Sequence, residues 1–350
     1  MLACLLLGAP LLARAAELPP DLGQRLVQGY IAPATQTLAR AAHGLHDELR
    51  AWCATRAPQG VPAVRARFAE TVAAWSAVEF LRFGPLVAAN RYERFSFWPD
   101  PRGVTLRQVQ ALLAGDAPLP EGEALAAQSV AVQGLPALEY VLYSDTGLLA
   151  MPGGAAAARA CAYATAVAAN LARLADELAG EWGGGSPHAR DFAQPSPGSP
   201  AYRDTREVAA EAVKALSTGL QFARDAKIRP ALGASPEKAA PRRAPYWRSG
   251  LSASSMRAGV DGMLRFYNAA GLRFEAAQQG LDQTVRHELE QAGGTLAELD
   301  APVAGTMADG DGRRRWTLAA LLLGNAKDVI DQNVAPAIGV TLGFNALDGD

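Results

Sequence analysis

Charge of one sign is what this 350-residue chain most plainly lacks: 33 Lys and Arg stand against 35 Asp and Glu, a formal net charge of -2. Nucleic acid and acidic membrane surfaces call for a strong basic excess or a clustered patch, so neither is an expected partner. The short run Arg313-Arg314-Arg315 reads as a solvated helix start. Strand-like alternation of apolar and polar residues is nearly absent, which argues against any sheet-based fold. Phosphate loops are missing as well, because Gly183, Gly184 and Gly185 have no strand before them and no lysine after them. No Gly-x-Ser-x-Gly elbow occurs. Ser129, Ser249 and Ser255 are available as nucleophiles, but no histidine has a context that singles it out as their base.

Cysteine is scarce, with three in the chain. Cys4 lies in the opening apolar run Met1 to Leu12, which is too short to span a bilayer and is followed by Ala13-Arg14-Ala15. That pattern reads as a secretory signal cut after Ala15, placing the mature chain in the periplasm or cell envelope with no transmembrane span. No Lys or Arg precedes the run, so the start codon is expected upstream of Met1. A cysteine inside the apolar region does not suit a lipid anchor. Cys53 and Cys161 remain, and in an oxidising compartment two cysteines suggest one disulfide, the alternative being two separate buried thiols.

What is present is helical spacing. Cys161, Ala164, Ala168, Leu171, Ala175 and Leu178 follow steps of three and four, as do Ala209, Val213, Leu216, Leu220 and Ala223. Leu106, Val109 and Leu113 form a shorter stripe, and Leu318, Leu322, Ala326 and Val329 mark another helix face near the end. With 49% hydrophobic residues, the expected fold is all-α: two packed helical bundles, compatible with a diverged duplication. The expected organisation is a signal over 1–15, an N-terminal bundle over 16–182, a Gly/Pro-rich linker over 183–200 and a C-terminal bundle over 201–350. Pro230 to Gly250 and Gly293 to Gly312 read as loops between long helices.

Three segments could carry chemistry. In Gly134-Leu135-Pro136-Ala137-Leu138-Glu139 the proline suits a helix start, which puts Glu139 on the first turn beside Leu135, Leu138 and Leu142. A carboxylate in such a groove needs a partner, as a salt bridge between helices or as a ligand for a metal or substrate. Upstream, Glu79 and Arg82 share a helix face and can pair with each other or with Glu139. Between them, Arg91 to Gly103 interleaves Arg94, Trp98 and Asp100 with two prolines, a rigid loop that either lines a site or closes a bundle end.

These segments, in this order, resemble the imelysin family, named for an insulin-cleaving membrane protease and including iron-regulated envelope proteins. Arg242-Arg243-Ala244-Pro245-Tyr246-Trp247-Arg248-Ser249-Gly250 and the ending Leu342 to Asp350 look like its later signatures. The resemblance implies two helical bundles on the bacterial envelope, a candidate site near their junction and a connection with iron acquisition. It also implies a Gly-x-His-x-x-Glu motif, the basis for a metallopeptidase assignment. Gly134 and Glu139 match that motif, but Pro136 stands where the histidine would be and has no side chain that can bind a metal. His43 and His46 sit on a predicted helix with Asp47 alongside, His188 lies in the linker and His287 on an exposed helix, so none is an obvious replacement. An all-oxygen site from Glu79, Glu139 and Asp100 would suit ferric iron or another hard cation.

The expectation is therefore a periplasmic binding protein that works with envelope metal-uptake components. Its polar pocket at the bundle junction would use Gly134, Glu139, Glu79, Arg82, Arg94, Trp98 and Arg248. A metallopeptidase with altered ligands is the second reading, and a structural or partner-docking envelope protein the third.

Overall fold

The computed structural model describes residues 16–341 apart from Pro152, Asp300 and Asp309; the expected signal and the closing phrase Leu342 to Asp350 lie outside the described residues. Among these residues the architecture is helical, and the one strand-like feature is an isolated bridge between Glu17 and Arg273. The first half holds α1 (Leu22–Leu26), α2 (Ala32–Thr55), α3 (Val61–Val78), α4 (Arg91–Phe95), α5 (Val104–Ala114), α6 (Gly122–Ala126), α7 (Leu135–Tyr143), α8 (Gly154–Glu181) and α9 (Pro187–Ala193). The second half holds α10 (Thr205–Gln221), α11 (Arg229–Leu232), α12 (Ser252–Ala270), α13 (Gln279–Ala297), α14 (Val303–Ala308), α15 (Gly310–Val329) and α16 (Ala335–Ala337).

Two bundles result. In the first, α2 packs on α3 and α8, burying Leu38, Ala42, Leu45, Leu49 and Trp52 from α2 against the Cys161 to Leu178 stripe of α8. Every residue of that stripe is buried, as is every residue of the Ala209 to Ala223 stripe in the second bundle. There α12, α13 and α15 form the main packing. Alanine-rich faces let helix axes approach closely while adding helix propensity. The bundles meet where α3 lies on α12. A Cβ at Gly262 would stand 2.6 Å from the Tyr30 hydroxyl and 2.7 Å from the Ala77 carbonyl, so glycine is what permits the approach. The Tyr30 hydroxyl donates to that same carbonyl at 2.5 Å.

Three sequence expectations need correction. The buried face of α15 is Trp316, Ala319, Ala320, Leu323 and Ala326; Leu318 is 45% exposed, because the helix is rotated to bury Trp316, whose indole N–H donates to Thr306. The stretch 293–312 is mostly helix rather than loop, carrying the end of α13, all of α14 and the start of α15. Within 183–200 lies α9, opened by Ser186, whose hydroxyl accepts from the Ala189 N–H. Its Phe192 stacks on Phe83 and meets Trp182 and Tyr202 edge-on, so α9 anchors the stretch to the core at Ala189 and Phe192, while most of 194–200 stays exposed. The disulfide expected between Cys53 on α2 and Cys161 on α8, by contrast, is formed.

Candidate functional site

At the junction of the bundles opens a cavity of about 1080 Å³, walled by the loop after α4, by α7 and by the segment between α11 and α12. Five residues singled out in the sequence line it: Glu79, Trp98, Asp100, Glu139 and Arg248. Gly134, Arg82 and Arg94 do not.

Glu139 sits one residue deeper than its sequence suggested. Helix α7 begins at Leu135, so Glu139 is its fifth residue, beyond the first turn where the positive helix end is felt. Its partner comes from the other half of the chain: Oε1 accepts from the Ser249 backbone N–H at 2.9 Å and from the Ser249 hydroxyl at 2.8 Å. Burial raises the carboxyl pKa above its usual value, and the Ser249 bonds and the nearby Arg248 guanidinium offset part of that rise. Gly134 caps this helix in an extended conformation, and its lack of a side chain matters sterically: a Cβ would lie 2.6 Å from the Phe95 carbonyl oxygen.

Glu79 does not pair with Arg82 or with Glu139. It forms a buried ion pair with Lys227, carried on a π-helical turn, Phe222–Ile228, that follows α10. Arg82 instead lies between two aromatic rings, 4.1 Å from the centre of Tyr92 and 3.8 Å from that of Phe222, and donates to the Tyr92 hydroxyl. Asp100 is occupied as a helix cap, accepting from the N–H groups of Val104 at 2.9 Å and Thr105 at 2.8 Å. Arg94 donates to Gln133 at 3.1 Å behind the cavity, and burial lowers its pKa.

The all-oxygen cation site is therefore not assembled. Glu79, Asp100 and Glu139 each serve a different partner, and among the described residues no group of three or more His, Cys, Asp or Glu is placed to hold a metal ion. Pro136 lines the cavity as well. His43 pairs with Asp176 at 2.8 Å and His46 with Asp47 at 3.2 Å, both away from the cavity. His188 packs against the rings of Trp182 and Tyr202. A resident metal bound through the family motif does not fit these residues.

The remaining wall is a turn in the segment 239–251. Tyr246 adopts a left-handed backbone, φ 53°, a conformation that costs a side chain of this size about 1–3 kcal/mol and recurs at functional sites. Its buried ring reaches Ser96 through its hydroxyl, and burial, with the Glu79 charge beside it, pushes that hydroxyl's pKa up. The turn closes with the Leu251 N–H donating to the Tyr246 carbonyl at 3.0 Å and the Ser252 hydroxyl to Pro245 at 2.7 Å. It presents Trp247 with the Arg248 guanidinium 4.4 Å and the Arg242 guanidinium 5.3 Å from the ring centre.

Lys227, Tyr246 and the bonding role of Ser249 were not anticipated. For Lys227 a signal existed: one step of four beyond Ala223 continues the buried stripe onto position 227. A lysine on a buried face requires an acidic partner.

The Imelysin family profile matches residues 27–328. Solved structures that share the fold include two similar proteins. An imelysin-like protein from Psychrobacter arcticum 273-4 superposes with a TM-score of 0.73 at 20% identity, covering 94% of this chain and 99% of that one. A candidate iron-regulated protein A precursor from Parabacteroides distasonis ATCC 8503 superposes with a TM-score of 0.70 at 12% identity, covering 90% of this chain and 95% of that one. No curated protein matches the chain.

Proposed function

The chain belongs to the imelysin family, and from that premise we propose that it is an exported binding protein of the cell envelope. In this reading it holds a small ligand in the cavity between its bundles and serves iron or other metal uptake together with envelope partners. One observation carries the reading: Glu79, Trp98, Asp100, Glu139 and Arg248, spread over 170 positions of sequence, line a single cavity of about 1080 Å³. A concave junction with aromatic walls and a few fixed polar groups is the usual setting for a small ligand. The iron-regulated name of the Parabacteroides distasonis relative supports the link to metal. No helix among the described residues is long and apolar enough to cross a membrane.

A metal would be cargo here, not a resident catalyst. The motif histidine is replaced by Pro136, and Glu139 is turned to Ser249. Native mass spectrometry of the chain purified from its own cell envelope tests the reading. A co-purified ligand that is lost in Trp98→Leu supports it, and a ligand retained in full by that variant removes the cavity from the function.

A further inference from the structure

The charges around the cavity are not balanced in the way their number suggests. Four acids line it, Glu79, Asp100, Glu139 and Asp145, against Lys227, Arg242, Arg243 and Arg248. Three of the acids are already engaged. Glu79 is neutralised by Lys227, Asp100 has both oxygens on the N–H groups that open α5, and Glu139 is buried with two Ser249 donors on one oxygen. That leaves exposed Asp145 as the one acid without such a partner.

The arginines differ. Among the described residues, none of Arg242, Arg243 and Arg248 has a carboxylate within ion-pair distance; other arginines without one, such as Arg94, Arg159 and Arg313, donate instead to Gln133, Leu112 and Leu232. Two of the three are steered by Trp247, and Arg248 also lies 5.5 Å from the centre of the Tyr140 ring. Stacking on an aromatic face leaves the guanidinium edge, with its N–H donors, directed at other partners, and that planar fork matches carboxylate and phosphate oxygens. The left-handed backbone at Tyr246 lies in the turn that carries Trp247 and Arg248.

We infer that the cavity takes an oxyanion carrying more than one charge, a polycarboxylate or phosphate compound, gripped by Arg242, Arg243 and Arg248 against a wall of Trp98, Tyr140 and Trp247. The inference rests on the cavity being the binding site and deepens that reading: metal would enter as an anionic chelate rather than as a bare ion. The volume is far larger than one inorganic ion requires, which suits a chelate of this class. Among the described residues no carboxylate cluster competes for the cation, in keeping with a ligand that brings its own.

Isothermal titration calorimetry of the full purified chain, in a buffer free of sulfate and phosphate, tests this with four probes: ferric citrate, citrate, pyrophosphate and zinc chloride. The expected result is binding of at least one oxyanion probe, citrate and pyrophosphate separating carboxylate from phosphate recognition. Affinity falls about tenfold or more in Arg248→Gln and in the Arg242→Gln/Arg243→Gln double variant, because each loses a charged hydrogen-bond donor. Raising the salt from about 0.05 to about 0.5 M weakens binding further. Tighter binding of zinc than of every oxyanion, no binding of any oxyanion, or oxyanion affinity unchanged in both arginine variants overturns the inference. A co-purified ligand that is lost in Trp98→Leu but indifferent to the arginine variants overturns the anion assignment alone. Indifference to all three variants overturns the cavity reading as well.

Discussion

Glu139 owes its position to hydrogen bonds rather than to an opposite charge in contact with it. Replacing it with alanine leaves the Ser249 N–H without its acceptor, so Glu139→Ala is expected to cost about 1–3 kcal/mol in chemical denaturation. Glu139→Gln keeps an acceptor oxygen in place and should lose much less. The two variants also differ in pH response. A carboxyl whose pKa is raised by folding binds its proton more tightly in the folded state. Its favourable contribution is complete below the ordinary glutamate pKa of about 4.3 and fades as pH rises through the folded value. Thermal melts above pH 4 should therefore show a shallower decline with pH in Glu139→Gln than in the parent; identical slopes would contradict the assignment. Lys227 is a different case, since the Glu79 pair is buried on both sides. Lys227→Met strands a buried carboxylate and should cost about 3–5 kcal/mol, and adding Glu79→Gln should restore much of the loss. A single variant as stable as the parent would show that the pair carries no structural weight.

At the scale of elements, the faces of α8 and α10 were legible because a helix face is a short-range property, repeated every three or four residues. The face of α15 was not. Of the expected stripe Leu318, Leu322, Ala326 and Val329, Leu318 is exposed and Ala326 alone is buried, and the buried face is built from Leu323 and small residues around Trp316. Glycine conceals the same kind of information: Gly324 faces Arg224, whose guanidinium would stand 3.0 Å from an added Cβ. The site was legible as a set of positions but not as a set of partnerships. Glu139 meets Ser249 across 110 residues and Glu79 meets Lys227 across 148, separations over which no local periodicity carries information.

For the whole molecule, the two bundles are tied internally and joined through α3 and α12, with the cavity beside that joint. The Cys53–Cys161 link spans 108 residues of the first bundle. Restricting a loop of that length in the unfolded chain is worth about 4–5 kcal/mol, so Cys53→Ser/Cys161→Ser should unfold at clearly lower denaturant concentration than the oxidised parent. Equal midpoints would mean that the bridge does not form in the native chain. Membership of the imelysin family accounts for the bundles. Around the cavity this chain sets Pro136, the Glu139–Ser249 hydrogen bonds and three arginines with no carboxylate within ion-pair distance. The most direct test of the central claim is an electron-density map of the chain purified from its cell envelope without chelators. The account predicts a ligand lying between Trp98 and Arg248 in the junction cavity, with its negative groups on Arg242, Arg243 or Arg248. A bare metal ion coordinated by Glu139, or a bound ligand elsewhere on the molecule with the cavity filled only by solvent, would contradict it.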